Sequence, residues 1–346
     1  MTTNYHFCLV GFGNVGKAFA RLLLRKKSEL ADRYDLSISV TGIITGSHGR
    51  AIDPAGIDLE KALNLLETGK PLDELDRGDA PAESAAFISA CPAEFMFETT
   101  PVDYQTGQPA ITHIETALNA GMHVVTANKG PVVYGYQSLT ALAKNKGCQF
   151  LFESAVMDGA PVFALFREVL GGANLTGFRG ILNSCTNLLL GMMAEGKTLA
   201  EAIAYGQSIG IAETDPSGDV DGWDAAIKVA ALVTVLMGCP MTPPQVDRTG
   251  IRGITPEMIT SAKSDGERWK LVCSARREGK KVIARVAPER VGVDSPLYSV
   301  NGTSSYAQFE LDVLPGLGIL ESDPGPETTA YGLFADFLSI LGVRGK

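Results

Sequence analysis

The feature that most restricts the fold of this chain is a glycine-rich segment close to its N-terminus. A short apolar run ends at Val10, and the sequence GFGNVG follows at residues 11–16. Apolar positions then recur at helical spacing as far as Lys27, which places the glycines between a strand and a helix. In such a unit the first glycine permits a tight turn, the second lets the backbone approach a pyrophosphate, and the third permits close helix–strand packing.

This strand–turn–helix setting favours dinucleotide binding over a glycine-rich turn that holds no ligand. The pyrophosphate would rest on the N-terminus of the helix, where unpaired N–H groups attract negative charge. The candidate cofactor-binding residues in the segment are Gly11, Phe12, Gly13, Asn14, Val15 and Gly16.

Strands and helices alternate along the first 150 or so residues, which is typical of a parallel, doubly wound sheet. Predicted strands cover residues 5–10, 36–45, 93–100, 123–127 and 149–156. Predicted helices cover residues 15–27, 57–66, 111–120 and 137–145. We therefore predict an α/β protein whose N-terminal, Rossmann-type dinucleotide-binding domain occupies residues 1–152.

The pattern changes after residue 152. Helices are predicted over residues 161–170, 187–194, 198–208 and 223–237, with a strand at 178–183. An antiparallel hairpin follows over residues 269–291, with its turn at Glu278-Gly279, and a further strand at 308–314. This indicates a second, α+β domain over residues 153–324, and we expect the last helix, within residues 325–346, to pack back on the first domain.

Composition excludes several classes of protein. The 346 residues are 45% hydrophobic and carry a formal net charge of −9, so wholesale disorder is excluded and binding to nucleic acid or an anionic membrane is disfavoured. The six cysteines are dispersed without a CxxC pair, which predicts a reduced, cytoplasmic protein with neither a disulfide framework nor a zinc ribbon. We also expect no targeting segment at the N-terminus.

The end of the second predicted strand bears on the choice of cofactor. An NAD site usually has a carboxylate there for the ribose 2′-hydroxyl, but residues 45–50 read TGSHGR and contain none. Ser47, His48 and Arg50 are suited to a 2′-phosphate, which favours NADP over NAD. A solvated loop accounts for the same residues equally well.

Charged residues are densest between residues 210 and 228, where five carboxylates precede a lysine. Asp224 and Lys228 are spaced i and i+4, so they share a helix face that is otherwise apolar. A partly buried lysine beside a carboxylate is a candidate acid–base group, because burial and the partner act on its pKa in opposite directions. An ordinary salt bridge and a calcium loop are the alternatives, although the EF-hand spacing is absent.

Several blocks of this sequence resemble homoserine dehydrogenases, in the order found in that family. They are GFGNVG at 11–16, ETTP at 98–101, VVTANKGP at 124–131, ESAVMDGAP at 153–161, GILN at 180–183, and the run ending DVDGWDAAIK at Lys228. The tail GPETTAYGLFADF from Gly325 is similar to the last cofactor loop and helix of the family. The resemblance is to the short form without a C-terminal regulatory domain.

The resemblance implies reversible, NAD(P)-dependent interconversion of L-homoserine and L-aspartate 4-semialdehyde, a step of threonine and methionine biosynthesis. It implies that Lys228 is the acid–base residue, with Lys129 a second lysine at the reacting centre that also contacts the cofactor. Glu213 would bind the substrate ammonium, with Asp219 and Asp224 lining the same site.

The resemblance also implies further ligand contacts and an oligomeric state. Further cofactor contacts would come from Thr99, Thr100, Gly210 and Gly325. A site for Na⁺ or K⁺ would comprise Glu153, Val156, Asp158 and Ala160. The second domain would bind the substrate and form a homodimer.

Two departures from the family keep other interpretations open. The family usually has Asn-Gly-Thr where residues 183–185 read Asn-Ser-Cys, and a side chain in place of glycine can narrow a pocket. Ile211 stands where an aromatic residue is common. The alternatives are a paralogous NAD(P)-dependent dehydrogenase of another small amino or hydroxy acid, or a non-catalytic dinucleotide sensor. The retained lysines and carboxylates argue against the sensor.

Overall fold

The structure is a computed structural model that describes residues 2–343. Its contacts divide the chain into two compact units. The first unit contains the residues up to Pro161 together with those from Gly325 onward, and the second unit is Val162–Pro324. Residue 1 and residues 344–346, which the predicted domain bounds include, lie outside the described residues.

The first unit is built on a six-stranded sheet with strand order β3-β2-β1-β4-β5-β6. Its strands are β1 (Thr3–Val10), β2 (Leu36–Ile44), β3 (Arg50–Ile52), β4 (Phe95–Glu98), β5 (His123–Thr126) and β6 (Phe150–Leu151). All neighbouring pairs are parallel except β2 and β3, which confirms the predicted parallel sheet. Because β2 and β4 flank β1 on opposite sides, the carboxyl ends of β1 and β4 form the switch point of the sheet.

Helices connect these strands. They are α1 (Asn14–Tyr34), α2 (Leu59–Glu67), α3 (Ser84–Ala90), α4 (Ala110–Asn119), α5 (Lys129–Tyr134), α6 (Tyr136–Lys146) and α7 (Ser154–Met157), with a 3₁₀ turn at Leu72–Leu75. The last helix of the chain, Pro326–Ile340, also belongs to this unit. The centre of its Phe337 ring lies 4.9 Å from the centre of the Phe7 ring on β1, and the centre of the Phe97 ring on β4 lies 4.6 Å from the same Phe7 ring. The final helix thus completes an aromatic core that β1 and β4 begin.

The chain after β6 differs from its predicted form. A strand was expected over residues 149–156, but only Phe150 and Leu151 pair with β5, and the chain turns into α7. The backbone N–H of Glu153 donates to Oδ2 of Asp336 at 2.7 Å, and the Ser154 hydroxyl donates to the Thr329 carbonyl at 2.7 Å. These bonds tie residues 153–154 to the final helix, so the first compact unit reaches Pro161, whereas the sequence pattern placed the boundary after residue 152.

The second unit contains a mostly antiparallel sheet with strand order β12-β11-β7-β9-β10-β8. Its strands are β7 (Leu175–Ile181), β8 (Asp247–Arg248), β9 (Glu267–Glu278), β10 (Lys281–Gly292), β11 (Ser305–Leu311) and β12 (Leu317–Glu321). Only β8 and β10 pair in parallel. The β9–β10 hairpin turns at Gly279, whose φ is +60°, which confirms the predicted hairpin.

Helices pack against this sheet. They are α8 (Val162–Ala164), α9 (Ser184–Ala194), α10 (Leu199–Ser208), α11 (Ser217–Val220), α12 (Trp223–Leu236) and α13 (Pro256–Ser264), with a π-helical turn at Leu165–Val169 and 3₁₀ turns at Pro243–Gln245 and Pro296–Ser299. The reciprocal bonds of Thr198 and Glu201 begin α10, as the Ser/Thr-x-x-Glu spacing predicts. The last helix of the chain, Pro326–Ile340, belongs to the first unit and is numbered α14. Across residues 2–343, no helix is both long and apolar enough to cross a bilayer.

Candidate functional site

The glycine-rich turn between β1 and α1 has the geometry that a dinucleotide requires. Gly11 has a φ of +93°, and a Cβ atom there would lie 2.7 Å from the carbonyl carbon of Thr99. A Cβ atom on Gly16 would lie 2.7 Å from the Gly11 carbonyl oxygen. A Cβ atom on Gly13 would meet no atom within 4 Å. Only the middle glycine therefore faces open space, which leaves its backbone accessible to a pyrophosphate.

The carboxyl end of β4 packs directly on this turn. The Thr99 hydroxyl donates to the Gly11 carbonyl at 3.0 Å. The backbone N–H of Thr100 donates to Oε1 of Glu98 at 2.9 Å, and the Thr100 hydroxyl also reaches this oxygen. Thr99 and Thr100 thus lie at the switch point beside the glycine turn.

Lys129 begins α5, immediately after the carboxyl end of β5. The loop that holds it is tightly packed, because a Cβ atom on Gly130 would lie 2.8 Å from Cα of Gly107. Asn128 caps α5 by accepting the Gly130 N–H at 2.9 Å. The structure therefore places Lys129 at the same edge of the sheet as the glycine turn, on a loop whose backbone is held on both sides.

The loop after β2 is a hairpin rather than an open strand end. The Thr45 N–H and hydroxyl both donate to the Gly49 carbonyl, at 3.1 and 3.0 Å. Arg50 lies on β3, where its Nε donates to the Ala80 carbonyl at 2.9 Å and its Nη1 lies 3.9 Å from Oδ1 of Asp73. Ser47 and His48 are exposed at the tip. Arg50 is thus shared with Asp73, a carboxylate that the sequence pattern did not associate with this turn.

In the second unit, α12 carries the predicted carboxylate and lysine. Nζ of Lys228 lies 3.1 Å from Oδ2 of Asp224 and donates to the Leu182 carbonyl at 2.7 Å. Nδ2 of Asn183 donates to Oδ1 of Asp219 at 2.6 Å and to Oδ2 of Asp224 at 2.9 Å. The segment after β7 therefore joins both carboxylates and the lysine into one cluster.

Burial governs the ionisation of this cluster. Desolvation and then the negative charge of Asp224 raise the pKa of Asp219, while hydrogen bonds from Asn183 and Cys185 act in the opposite direction. Desolvation also raises the pKa of the Cys185 thiol, and Asp219 raises it further. The Cys185 thiol therefore stays protonated. Within the cluster, the carboxylates of Asp219 and Asp224 repel each other, and the Lys228 ammonium is the cation beside them.

Three further predicted site residues are Glu213, Gly210 and Gly325. Glu213 is exposed on the loop after α10, and within residues 2–343 its side chain makes no hydrogen bond or ion pair with the cluster. Gly210, with a φ of +74°, ends the turn after α10. Gly325 precedes α14 in the first unit, where its carbonyl accepts the Thr328 hydroxyl at 2.8 Å.

The predicted cation residues surround the short helix α7. Glu153 is buried at its start. Asp158 follows α7 with a φ of +39°, and Ala160 N–H donates to the Met157 carbonyl at 2.8 Å. No group of three or more His, Cys, Asp or Glu side chains in residues 2–343 is arranged to hold a metal ion, so a cation here would rely on backbone carbonyls.

Comparison with protein families decides the assignment. The family described as "Homoserine dehydrogenase" matches residues 161–338, and its companion "Homoserine dehydrogenase, NAD binding domain" matches residues 11–153. The chain belongs to the homoserine dehydrogenase family. Homoserine dehydrogenases are NAD(P)-dependent oxidoreductases that act on a CH–OH group in amino-acid biosynthesis, and the alternative of a paralogue or a sensor is not favoured.

Individual homoserine dehydrogenases match almost the whole chain. A "Homoserine dehydrogenase" of Methanocaldococcus jannaschii is 37% identical, over 98% of this chain and 99% of its own length. An "NAD(+)-dependent homoserine dehydrogenase" of Pseudomonas canavaninivorans is 32% identical, over 98% and 96%. A solved "Hyperthermophilic archaeal homoserine dehydrogenase mutant in complex with NADPH" is 28% identical with a TM-score of 0.82, covering 99% of both chains.

Sequence reasoning about this homoserine dehydrogenase missed the groups that assemble the cluster. Leu182 and Asn183 were used only as part of the GILN block that resembles the family and, for Asn183, as the start of a departure from it; neither was predicted to contact the carboxylates or the lysine. Asn183 also accepts the Thr186 N–H at 2.7 Å and so caps α9. The available signal was an asparagine between a strand and a helix, which predicts a cap but not a bridge to residues far along the chain.

Proposed function

We propose that this chain interconverts L-homoserine and L-aspartate 4-semialdehyde with Lys228 as the acid–base group. The observation that carries this proposal is the buried cluster of Lys228, Asp224 and Asn183, in which Nζ lies between a carboxylate and the Leu182 carbonyl. An ammonium held by a carboxylate and a carbonyl in this way has a restricted position. A positioned group of this kind is what proton transfer to a reacting oxygen requires.

The glycine turn fits a nicotinamide dinucleotide. Of its three glycines, Gly13 is the one where an added Cβ would meet no atom within 4 Å, so a pyrophosphate can approach the backbone there. Gly11, Phe12, Gly13, Asn14, Val15 and Gly16 would hold the pyrophosphate, and Thr99, Thr100, Lys129, Gly210 and Gly325 would contact the rest of the cofactor. When bound, NAD(P)⁺ supplies the acceptor for the hydride that leaves the carbinol carbon.

Proton transfer accompanies the change at the carbinol carbon. During oxidation, the amine of Lys228 takes the hydroxyl proton as the C–O double bond forms. During reduction, the ammonium of Lys228 returns that proton to the aldehyde oxygen as negative charge develops on it. Asp224 stabilises the ammonium form, and Asn183 keeps the carboxylate of Asp224 in place.

The substrate is zwitterionic and requires contacts of both signs. We propose that Glu213 binds its ammonium group, with Asp219 and Asp224 lining the same site. Lys129 would supply the positive charge at the reacting centre. The exposed position of Glu213 suits this role, because its carboxylate is accessible to a ligand.

We propose that NADP⁺ is the preferred cofactor. Support comes from the tip of the β2–β3 hairpin, where Ser47 and His48 are exposed and Arg50 begins β3. The carboxylate of Asp73 acts against this preference, because it lies 3.9 Å from Nη1 of Arg50. Direct comparison of the two cofactors tests the balance.

Three further proposals concern a cation, assembly and location. The carbonyls of Val156, Asp158 and Ala160, beside buried Glu153, would hold Na⁺ or K⁺, which the effect of each cation on turnover would test. The second unit would form a homodimer, which sedimentation would test. A cytoplasmic location agrees with six cysteines that form no disulfide in the structure.

The deciding experiment follows the reduced cofactor by absorbance while the protein is offered NADP⁺ or NAD⁺ and a panel of substrates. The panel contains L-homoserine, L-serine, L-threonine and L-malate. We expect turnover with homoserine and little with the other three. Faster turnover of another hydroxy acid, or none with homoserine, would overturn the proposed substrate. Glu213→Gln should raise the KM for homoserine more than it lowers kcat.

A further inference from the structure

Glu98 is a buried carboxylate that the roles proposed above do not use. It is the last residue of β4, and its side chain is completely shielded from solvent. Among residues 2–343, no lysine or arginine pairs with it, and its donors are hydroxyl and N–H groups. Burial raises the pKa of Glu98, while hydrogen bonds from Thr100 and Thr126 act against that shift. Burying a carboxylate without a cation costs free energy. The groups that donate hydrogen bonds to Glu98 therefore indicate what this residue does.

The two carboxylate oxygens of Glu98 hold two different strands. Oε1 accepts the Thr100 N–H at 2.9 Å and also the Thr100 hydroxyl, which fixes the chain just after β4. Oε2 accepts the Thr126 hydroxyl at 2.8 Å, which reaches across to the last residue of β5. Thr99, between these contacts, bonds the Gly11 carbonyl. The Glu98 carboxylate therefore joins the chain after β4 to the end of β5, and Thr99 joins the same stretch to the glycine turn.

The contact with Thr126 continues to the residues on both sides of Lys129. Oγ1 of Thr126 accepts the Asn128 N–H at 2.9 Å. Nδ2 of Asn128 donates back to the Thr100 carbonyl at 3.1 Å, and Oδ1 of Asn128 accepts the Gly130 N–H at 2.9 Å. Glu98, Thr126, Asn128 and Thr100 thus form a closed ring of hydrogen bonds, and members of such a ring reinforce one another.

We infer that Glu98 is a positioning residue that acts through Thr126 and Asn128 to hold the Lys129 loop in its reactive arrangement. This inference rests on the role proposed for Lys129 at the reacting centre. Glu98 itself has no route to a ligand, because it is fully buried. A displacement of about 1 Å at a reacting group can cost about 100-fold in rate, so a rigid support for this loop is worth the cost of burying a carboxylate.

The test uses the full-length chain and three variants of the ring. Glu98→Gln keeps the size and one acceptor oxygen, but directs an amide toward the Thr126 hydroxyl. Thr126→Val removes the hydroxyl that links Glu98 to Asn128, and Thr126→Ser restores it. The matched control is Glu94→Gln, which changes an exposed carboxylate just before β4 that accepts the His6 N–H.

Two measurements are made on each variant: kinetics with homoserine, and hydrogen–deuterium exchange of the segment 126–130. We expect Glu98→Gln and Thr126→Val to lower kcat by about 10- to 100-fold. Exchange at 126–130 should be about tenfold faster or more. Thr126→Ser and Glu94→Gln should stay close to the unchanged protein in both measurements.

The inference is overturned if neither variant changes kcat or exchange at 126–130. It is also overturned if exchange rises equally throughout the first unit, because Glu98 would then only stabilise the fold. If Glu98→Gln does not fold, Thr126→Val decides the question. Wild-type turnover in Lys129→Ala would instead refute the proposed role of Lys129, and the exchange measurement would still report whether Glu98 holds the loop.

Discussion

Nζ of Lys228 lies 3.1 Å from Oδ2 of Asp224, and the two side chains are only 14% and 11% exposed. The pair is spaced by one helical turn on α12, which brings the groups onto one face. The Leu182 carbonyl and Asn183 anchor it from outside the helix. This fixed, shielded arrangement differs from a surface ion pair, whose side chains move freely and contribute little.

Lys228→Ala should lower kcat by about 100-fold or more, the scale expected for loss of a positioned acid–base group. The Kd for NADP⁺ should change little, because the glycine turn that would bind the pyrophosphate lies in the other unit. Steady-state kinetics and a cofactor titration measure the two effects. Lys263→Ala, at an exposed lysine on α13, is the control. A Lys228→Ala variant that is less stable but fully active would show that the pair is only structural.

Gly13→Ala and Gly16→Ala should separate cofactor binding from folding. A Cβ atom at Gly13 meets nothing within 4 Å, and Gly13 is the N-cap residue of α1, so stability should fall by less than about 1 kcal/mol while the Kd for NADP⁺ rises about tenfold or more. At Gly16 the added carbon lies 2.7 Å from the Gly11 carbonyl oxygen, and overpacking should cost about 1–3 kcal/mol. Thermal melts and cofactor titration distinguish them. Equal losses of stability would contradict the assignment of the open position.

Lys270 should make the stability of this protein depend on alkaline pH. Burial, and secondarily the charge of Arg268, lower its pKa from 10.5 to about 8. Between these two values the unfolded chain binds more protons than the folded chain, so the free energy of unfolding rises with pH. Nζ donates to Oδ1 of Asn187 at 2.9 Å and to the Val300 carbonyl.

Removing this titratable group should therefore change the slope of stability against pH. Relative to Lys270→Met, the unchanged protein should gain stability as the pH rises from 7 to 10. Thermal melts of both proteins across that range measure the difference, and Lys263→Met at the exposed lysine is the control. Parallel stability curves for the protein and Lys270→Met would show that Lys270 titrates as an ordinary surface lysine.

NADP⁺ should bind more tightly than NAD⁺, and the hairpin residues should set the ratio of the two Kd values. Arg50→Ala should bring the two affinities closer together, because a cation near the proposed 2′-phosphate is lost. Asp73→Asn should have the opposite effect, because it removes the carboxylate 3.9 Å from Nη1 of Arg50. Fluorescence titration with both cofactors measures the ratio. A clear preference for NAD⁺ that Arg50→Ala leaves unchanged would rule out the role of Arg50.

Local patterns determined those parts of this protein whose physical cause lies within a few residues. The Gly11–Gly16 turn, the Thr198–Glu201 cap, the hairpin at Gly279 and the i, i+4 pair on α12 all follow from backbone freedom or helical periodicity. Each is present in the structure as the sequence predicted it.

Contacts between distant residues were decided only by the tertiary structure. Asn183 reaches Asp224 across 41 residues, Glu98 reaches Thr126 across 28, and the Glu153 N–H reaches Asp336 across 183. The last of these contacts joins the residues after β6 to α14. Local β propensity predicts a strand in this segment and carries no information about a contact so distant in sequence. The sequence shows that a polar side chain will need hydrogen-bond partners if it is buried. The packing of strands and helices determines which groups become those partners.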